Sequence, residues 1–373
     1  MSASFVLDER KPKLPPPRSM TGPVAWVRQN LFSSVGNSVL TLAGLYLCYL
    51  AVPSFLDWAL FSATWEGADR SACLGEGKGA CWPFVEAKLG QFVYGRYPVM
   101  ELWRPNVVFG LGVLGLIPLL VPKAPYKSWN LGYLLIFYPI VSVILLRGGL
   151  FGLAPVETSD WGGLLVTLIV AASGITASLP LGVLLALGRR SAMPVIRLLS
   201  VMFIEFWRGV PLVTVLFMAS VMLPLFLPEG ADLDKLLRAL IGVALFASAY
   251  MAEVVRGGLQ ALPKGQEEEA TALGLSYTDR MWFVLLPQAL RHVIPGIVNT
   301  FIGLFKDTTL VLIIGLFDLL GIIQSHFTDS SWATPQTAAT GYVFAAFVFW
   351  VFCFGMSRYS VYMERYLGRG YER

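Results

Sequence analysis

The stretch at 262–287 reads LPKGQEEEATALGLSYTDRMWFVLLP and lies between two long apolar runs, at 239–257 and 293–316. Pro263 suits the first turn of a helix. The three acids at 267–269 suit the same end, because a helix dipole favours anions there. Gly274 stands where a left-handed cap would end the helix. The first half of the stretch therefore predicts one short helix with a defined beginning and end.

The second half of the stretch predicts another helix. Ser276 with Asp279 resembles a capping box, and Pro287 predicts that this helix bends or ends there. The alternative is an amphipathic helix lying on the lipid headgroups. Three consecutive acids fit that alternative poorly, because the inner leaflet is anionic. A rigid helical projection is the preferred interpretation.

The composition of the whole chain indicates the environment of this projection. The 373 residues are 56% hydrophobic and 14% charged, against roughly 25% charged in soluble domains. This excludes an ordinary soluble enzyme, a disordered protein and a disulfide-rich secreted domain. A net charge of +4 is too small to indicate nucleic-acid binding. The chain needs lipid around it.

Long apolar runs predict an all-α polytopic membrane bundle, because lipid offers no partner for free backbone groups. The shortest run, at 107–121, is the weakest of the predicted spans. The sequence predicts eight transmembrane helices, at 36–61, 107–121, 129–146, 161–187, 198–228, 239–257, 293–316 and 340–362.

The cations predict the orientation of these spans. Residues 1–35 form a polar, Pro-rich segment without a signal peptide, which predicts a mobile cytoplasmic tail. With the N-terminus inside, 18 of the 28 Lys and Arg residues lie inside, 8 outside and two, Arg208 and Lys306, within spans. The positive-inside rule then places both termini in the cytoplasm, with residues 366–373 as a C-terminal tail.

The sequence offers little chemistry of its own. Gly75–Gly79 contains Gly-Lys but lacks the earlier Gly and the following Ser or Thr of a P-loop. Two His residues leave little for a metal site or a catalytic dyad, so neither an ATPase site nor a metal site is expected. Cys73 and Cys81 lie in the outer loop, where they form either a disulfide or two free thiols.

Spacing within 262–287 resembles the EAA loop of binding-protein-dependent ABC importer permeases. That pattern is Glu-Ala-Ala, three residues, Gly, nine residues, Ile-x-Leu-Pro. The chain departs from it in having Glu269 for the first Ala and Val284 for Ile. The positions that match are Glu268, Ala270, Gly274, Leu286 and Pro287.

Flanking segments resemble the polar amino-acid branch of that family, which serves histidine, glutamine, arginine and glutamate. They are EVVRGGL at 253–259, FWRGVPL at 206–212 and LFKDTTL at 304–310. The resemblance implies a five-helix, MetI-like transmembrane domain at 155–365. Residues 36–150, with three extra spans and an outer loop at 62–106, resemble the M-type permease of general L-amino-acid importers.

The resemblance implies a permease subunit that carries polar or general L-amino acids across the bacterial inner membrane. ATP and Mg would be bound by two partner ATPase subunits, which would grip the loop through Glu268, Glu269, Ala270, Gly274, Leu286 and Pro287. It also implies a second, related permease and a periplasmic binding protein. The rival hypotheses are an ion-coupled secondary transporter, which predicts an inverted repeat that is not visible, and a membrane-embedded enzyme.

Ionisable side chains within spans are costly and suggest function. Glu205 and Arg208 are spaced to pair on one helix face, and Lys306 and Asp307 are followed by Thr308. A zwitterionic amino acid would need both signs of charge along its path. These five residues are therefore candidates for the substrate path. The alternative is that they form intramembrane pairs or extend to the interface.

Overall fold

The computed structural model describes residues 22–226, 228 and 233–368. Within those ranges the chain is helical almost throughout and has two isolated β-bridges but no strand. The predicted tails lie outside the described residues at 1–21 and 369–373. The remainder of the predicted N-terminal tail is not featureless, because Pro23–Asn30 forms a helix, α1, with Pro23 at its first position.

Among the described residues, seven helical segments are long and apolar enough to cross a membrane, at 35–61, 99–120, 127–147, 163–189, 235–261, 294–314 and 337–367. They correspond to seven predicted spans, including the short second one. The predicted span at 198–228 is wrong as a single helix. It is two helices bent by 104°, because the chain leaves the helix at Val210 and Pro211 is the cap of the next.

The chain divides into two compact units. The first comprises residues 1–64 and 75–80, and the second comprises 65–74 and 81–373. In the first unit Ser34 caps α2 (Val35–Leu56), which continues as a π-helix to Phe61. No side chain of α2 is buried, as expected for a lipid-facing helix.

The second unit begins with α3 (Trp82–Tyr94) and a hairpin of apolar helices. The hairpin consists of α4 (Trp103–Leu120) and a return arm formed by α5 (Lys127–Gly132), a π-turn and α6 (Tyr138–Arg147). Its arms meet closely, since a Cβ on Gly112 would lie 2.8 Å from the Tyr138 hydroxyl. Buried Arg104 donates to the Ala154 carbonyl at 2.7 Å, which fastens the hairpin to the following loop.

The central pair of this unit is α7 (Gly163–Arg189) and α10 (Lys235–Ala261), which pack along their lengths. Small residues allow the close approach. A Cβ on Gly182 would lie 2.7 Å from Met251 Cβ. Between these two helices in the chain lie α8 (Pro194–Gly209) and α9 (Leu212–Phe217).

The chain leaves α10 through two short helices, α11 (Lys264–Ala272) and α12 (Tyr277–Asp279), and continues into α13 (Leu286–His292). After these come α14 (Ile294–Asp307), α15 (Leu319–Ser325) and α16 (Thr337–Gly368). We refer to residues 186–209 and 253–293 as the loop end of the unit. We refer to residues 65–74, 81–98 and 315–340 as the anchored end.

Candidate functional site: the loop end

Helix α11 has the ends that the sequence predicts. Pro263 stands at its N-cap, and Glu267 lies in its first turn. Gly274 has a φ of +76°, which a residue with a side chain adopts only with strain. The Leu275 amide donates to the Ala270 carbonyl at 3.3 Å and the Gly274 amide to Thr271 at 2.9 Å, which closes the helix.

The second helix also begins where predicted. Ser276 Oγ accepts the Asp279 amide at 3.2 Å and donates to the Asp279 carboxylate at 2.6 Å. The prediction that the helix bends or ends at Pro287 needs correction. The chain remains helical through Pro287, which takes an early position in α13 after a π-helical segment, Arg280–Leu285. That wider turn precedes a proline that has no amide to donate.

The two helices present one face outward and one inward. Glu268 and Glu269 are exposed, and Leu273 is 80% exposed. Ala270 and Leu286 are buried, and Pro287 is exposed. An exposed leucine beside two carboxylates is a surface suited to a protein partner. The sequence motif did not include Leu273. Its position at the C-terminal cap of α11, next to Gly274, was the signal that it is exposed.

Buried contacts fix this projection to the spans. Met281, Leu285, Leu286 and Ala289 form one cluster with side chains of α7 and α10. Gln288 donates to the Gln266 side chain at 3.1 Å, which joins the second helix to the first. If α11 shifts, the ends of α7 and α10 must therefore shift with it.

Three arginines of the loop end meet at Glu253 on α10, and Glu205 contacts one of them. Arg189 Nη1 lies 2.8 Å from Glu253 Oε1 and 2.9 Å from Glu205 Oε1. Arg256 donates twice to Glu253 Oε2, at 2.9 and 2.6 Å. Arg208 Nη1 lies 3.7 Å from the same oxygen. We call these five residues, Glu253 with Arg189, Glu205, Arg208 and Arg256, the Glu253 cluster.

The cluster corrects the predicted pairing of Glu205 with Arg208. The two residues are separated by one turn of α8, but each faces a different helix: Glu205 pairs with Arg189 of α7, and Arg208 with Glu253 of α10. Sequence reasoning missed Glu253 as a site residue. The signal was an acid inside an apolar span, which by itself suggests function.

The other candidate residues for the substrate path are not part of this cluster. Lys306 is exposed and Asp307 half-buried, at the point where α14 tightens into a 3-10 helix, and neither makes an ion pair with the cluster in the described part of the chain. Thr308 is 1% exposed and donates to the Phe305 carbonyl at 2.8 Å. Thr308 is therefore buried in the single chain, unlike Lys306, which is an exposed candidate for the substrate path.

The anchored end contains Cys73 and Cys81, the two cysteines of the predicted loop at 62–106. Cys73 and Cys81 are joined by a disulfide and are almost fully buried. Lys88 Nζ lies 2.6 Å from Asp329 Oδ2, and this hydrogen bond, with that from the Ser331 amide, lowers the pKa of Asp329 to about 2. Among the residues that the structure describes, no group of His, Cys, Asp or Glu is arranged to hold a metal ion.

Comparisons with known proteins converge on one family. Residues 178–368 match the family described as the binding-protein-dependent transport system inner membrane component. The Escherichia coli K12 protein named inner membrane amino-acid ABC transporter permease protein YhdY is 52% identical over 96% of this chain and 97% of its own. Rhodobacter capsulatus BztC, named a glutamate/glutamine/aspartate/asparagine transport system permease, is 39% identical over 98% of both chains.

A solved structure described as an amino acid ABC transporter with histidines has 30% sequence identity and a TM-score of 0.47. It covers 54% of this chain and 91% of its own. The named relatives are ABC permeases, and nothing among them supports the ion-coupled alternative.

Proposed function

The chain belongs to the family of binding-protein-dependent transport system inner membrane components and is an ABC importer permease, and from this premise we propose that it imports L-amino acids with a separate ATPase. The substrate class rests on two relatives named for amino-acid transport whose similarity extends over almost the whole chain. That similarity includes residues 36–150, which lie outside the family match. The extension is therefore shared with amino-acid permeases.

The feature that carries the coupling proposal is the rigid two-helix projection at 262–287. Its exposed side carries Glu268, Glu269 and Leu273, and its buried side is fixed to α7 and α10. We propose that an ATPase subunit holds the exposed side. Closure of two ATPase subunits on ATP, which with Mg belongs to those partners, would then move the projection and the spans behind it.

The other partners follow from the same family. We propose a periplasmic binding protein that delivers the amino acid, and a second, related permease beside this one. Lys306 is exposed in a span, and a charged group is costly in lipid. A second permease would cover that face and place Lys306 and Asp307 beside the substrate. In this arrangement the loop end and both termini are cytoplasmic.

Gly274→Arg tests the coupling role. The left-handed cap makes this substitution strained, at a cost of about 1–2 kcal/mol locally, and it places a long cation on the partner surface. We expect ATP-driven amino-acid uptake by the reconstituted complex to fall at least about tenfold. Deletion of residues 267–273 should abolish uptake and release the ATPase during purification.

Gly77→Arg is the matched control. Gly77 has a φ of +75°, and like Gly274 it has no neighbouring atom within 4 Å of an added Cβ. It should retain uptake and the ATPase. Undiminished ATP-driven uptake after deletion of 267–273 contradicts the proposal, as does uptake without any ATPase.

Lys306→Met tests the substrate path. Removing the cation should lower uptake while the ATPase and the second permease still co-purify, because methionine keeps an apolar side chain of similar length on the face that the second permease would cover. The measurement is initial uptake rate beside the composition of the purified complex. Loss of assembly would show instead that Lys306 is a structural contact.

A further inference from the structure

A groove of about 530 Å³ lies beside the start of α11. Four cations line it, Arg189, Arg190, Arg256 and Lys264, against one carboxylate, that of Glu267. They come from the end of α7, the end of α10 and the first turn of α11. The groove is therefore a basic concavity at the level where two membrane spans end.

The four cations differ in the carboxylates that they contact. Arg189 and Arg256 are bound to the carboxylate of Glu253. Arg190 has one carboxylate partner, Glu267, at 3.1 Å. Lys264 makes no ion pair or hydrogen bond among the described residues, and it is exposed. Arg190 is thus balanced by one carboxylate, whereas the charge of Lys264 has no carboxylate beside it among the described residues.

The backbone adds to this charge. Helix α11 has nine residues, and no side chain caps its N-terminus, where Pro263 stands. Its first backbone amides therefore have no side-chain acceptor, and they lie beside the groove, which Pro263 and Lys264 line. An uncapped helix N-terminus with Arg and Lys side chains nearby is an arrangement that binds phosphate groups.

We propose that this groove binds a phosphate group, carried either by an anionic phospholipid headgroup or by phosphate in solution. Its position at the ends of two spans is the level of the headgroups, where basic pockets between helices bind anionic lipid. A phosphate held between Arg190 and Lys264 would join the end of α7 to the first turn of α11. The bound phosphate would thereby strengthen the link between α7 and α11 that the Arg190–Glu267 ion pair already makes.

Binding is tested on the full chain purified in neutral detergent, with dioleoyl phosphatidylglycerol added and bound lipid counted by native mass spectrometry. The double variant Arg190→Gln with Lys264→Gln should bind the lipid at least about tenfold more weakly, because each basic residue near a membrane surface contributes roughly a fivefold attraction. The matched control is Arg197→Gln with Lys123→Gln, two exposed cations outside the groove, and it should bind as the wild type does.

A third variant reverses the sign of the effect. Glu267→Gln removes the carboxylate that occupies Arg190 and should tighten phosphatidylglycerol binding several-fold. A variant that merely damaged the fold would weaken binding instead. Equal binding of phosphatidylcholine and phosphatidylglycerol by the wild type would overturn the proposal, because the groove would then show no preference for net negative charge.

Inorganic phosphate distinguishes the two sources. Binding of phosphate to the wild type in detergent, lost in the groove double variant, assigns the site to a soluble ligand. Phosphatidylglycerol binding that millimolar phosphate fails to displace assigns it to a lipid headgroup. The proposal fails if neither lipid nor phosphate binding differs between the groove double variant and its control.

Discussion

At the loop end, Arg189 and Arg256 meet Glu253 with side chains that remain 15–31% exposed, whereas at the anchored end Phe84 and Phe92 are fully buried beside a disulfide. Exposed ion pairs are worth about 1 kcal/mol or less each and can exchange partners. Buried aromatic packing cannot rearrange at so small a cost.

The difference suggests that the two ends of the second unit have different roles. Arg189 already contacts two carboxylates, on α8 and α10, so a small rotation could favour one over the other. At the anchored end the Cys81 amide donates to Thr340 at 2.9 Å and the Arg70 amide to the Ser331 carbonyl at 3.1 Å. We infer that the loop end moves during transport and that the anchored end stays fixed.

The largest effect should come from Glu253→Gln. This change leaves three arginines around a neutral amide and should cost about 1–3 kcal/mol, less than for a fully buried pair because the site is partly exposed. We expect ATP-driven uptake to fall about tenfold or more. Glu205→Gln is the control, because Glu205 is 55% exposed and has one partner, so its uptake should change only a few-fold.

Equal losses in the two variants would show that the cluster acts through net charge alone. Uptake near the wild-type level in Glu253→Gln would show that the ion pairs are incidental to movement.

The sequence predicted the projection well because its signals are local. Pro263, Gly274 and Ser276 each act within a few residues through backbone geometry, and all three stand as helix boundaries in the structure. Seven spans were equally predictable from apolar length. Pro211 predicts a kink in the span at 198–228, but the size of the bend, 104°, could not be predicted because the apolar run continues through it.

The partners of charged residues could not be predicted in the same way. Spacing places Glu205 and Arg208 on one face of a helix, but it carries no information about which neighbouring helix that face meets. The Glu253 cluster joins residues up to 64 positions apart in the chain, from Arg189 to Glu253. Such pairs depend on the packing of α7, α8 and α10, which no local pattern encodes.

The next test measures stability rather than uptake and replaces both cysteines of the disulfide. Cys73→Ser with Cys81→Ser removes a short covalent loop and should cost about 2–4 kcal/mol of stability. The expected result is a lower melting temperature in detergent, with uptake at low temperature close to wild type if the anchored end is only a support. Cys48→Ser with Cys353→Ser removes the two free cysteines and is the control. Unchanged melting in the first variant would contradict a structural role for the disulfide.

The smallest effect should come from the titration of Asp318 at the anchored end. Asp318 is fully buried and caps α15 through the amides of Leu320 and Gly321, and its burial raises the pKa to about 6. The folded state thus binds this proton more tightly than the unfolded state. The contribution of Asp318 to stability is present below the unfolded pKa of about 4 and is lost as the pH rises through about 6.

Asp318→Asn isolates that contribution, because asparagine still caps a helix but does not titrate. From about pH 7.5 to pH 5 the wild type should gain about 1.4 kcal/mol that the variant does not gain, because pH 5 lies about one unit below the folded pKa. His326 works in the opposite direction, since burial lowers its pKa, but it is present in both proteins. Asp329, with a pKa of about 2, stays charged throughout. The measurement is the difference in melting temperature between wild type and variant at the two pH values. Because Asp318 lies at the end that we infer to be fixed, a large change in uptake rather than in melting would show that the anchored end also moves.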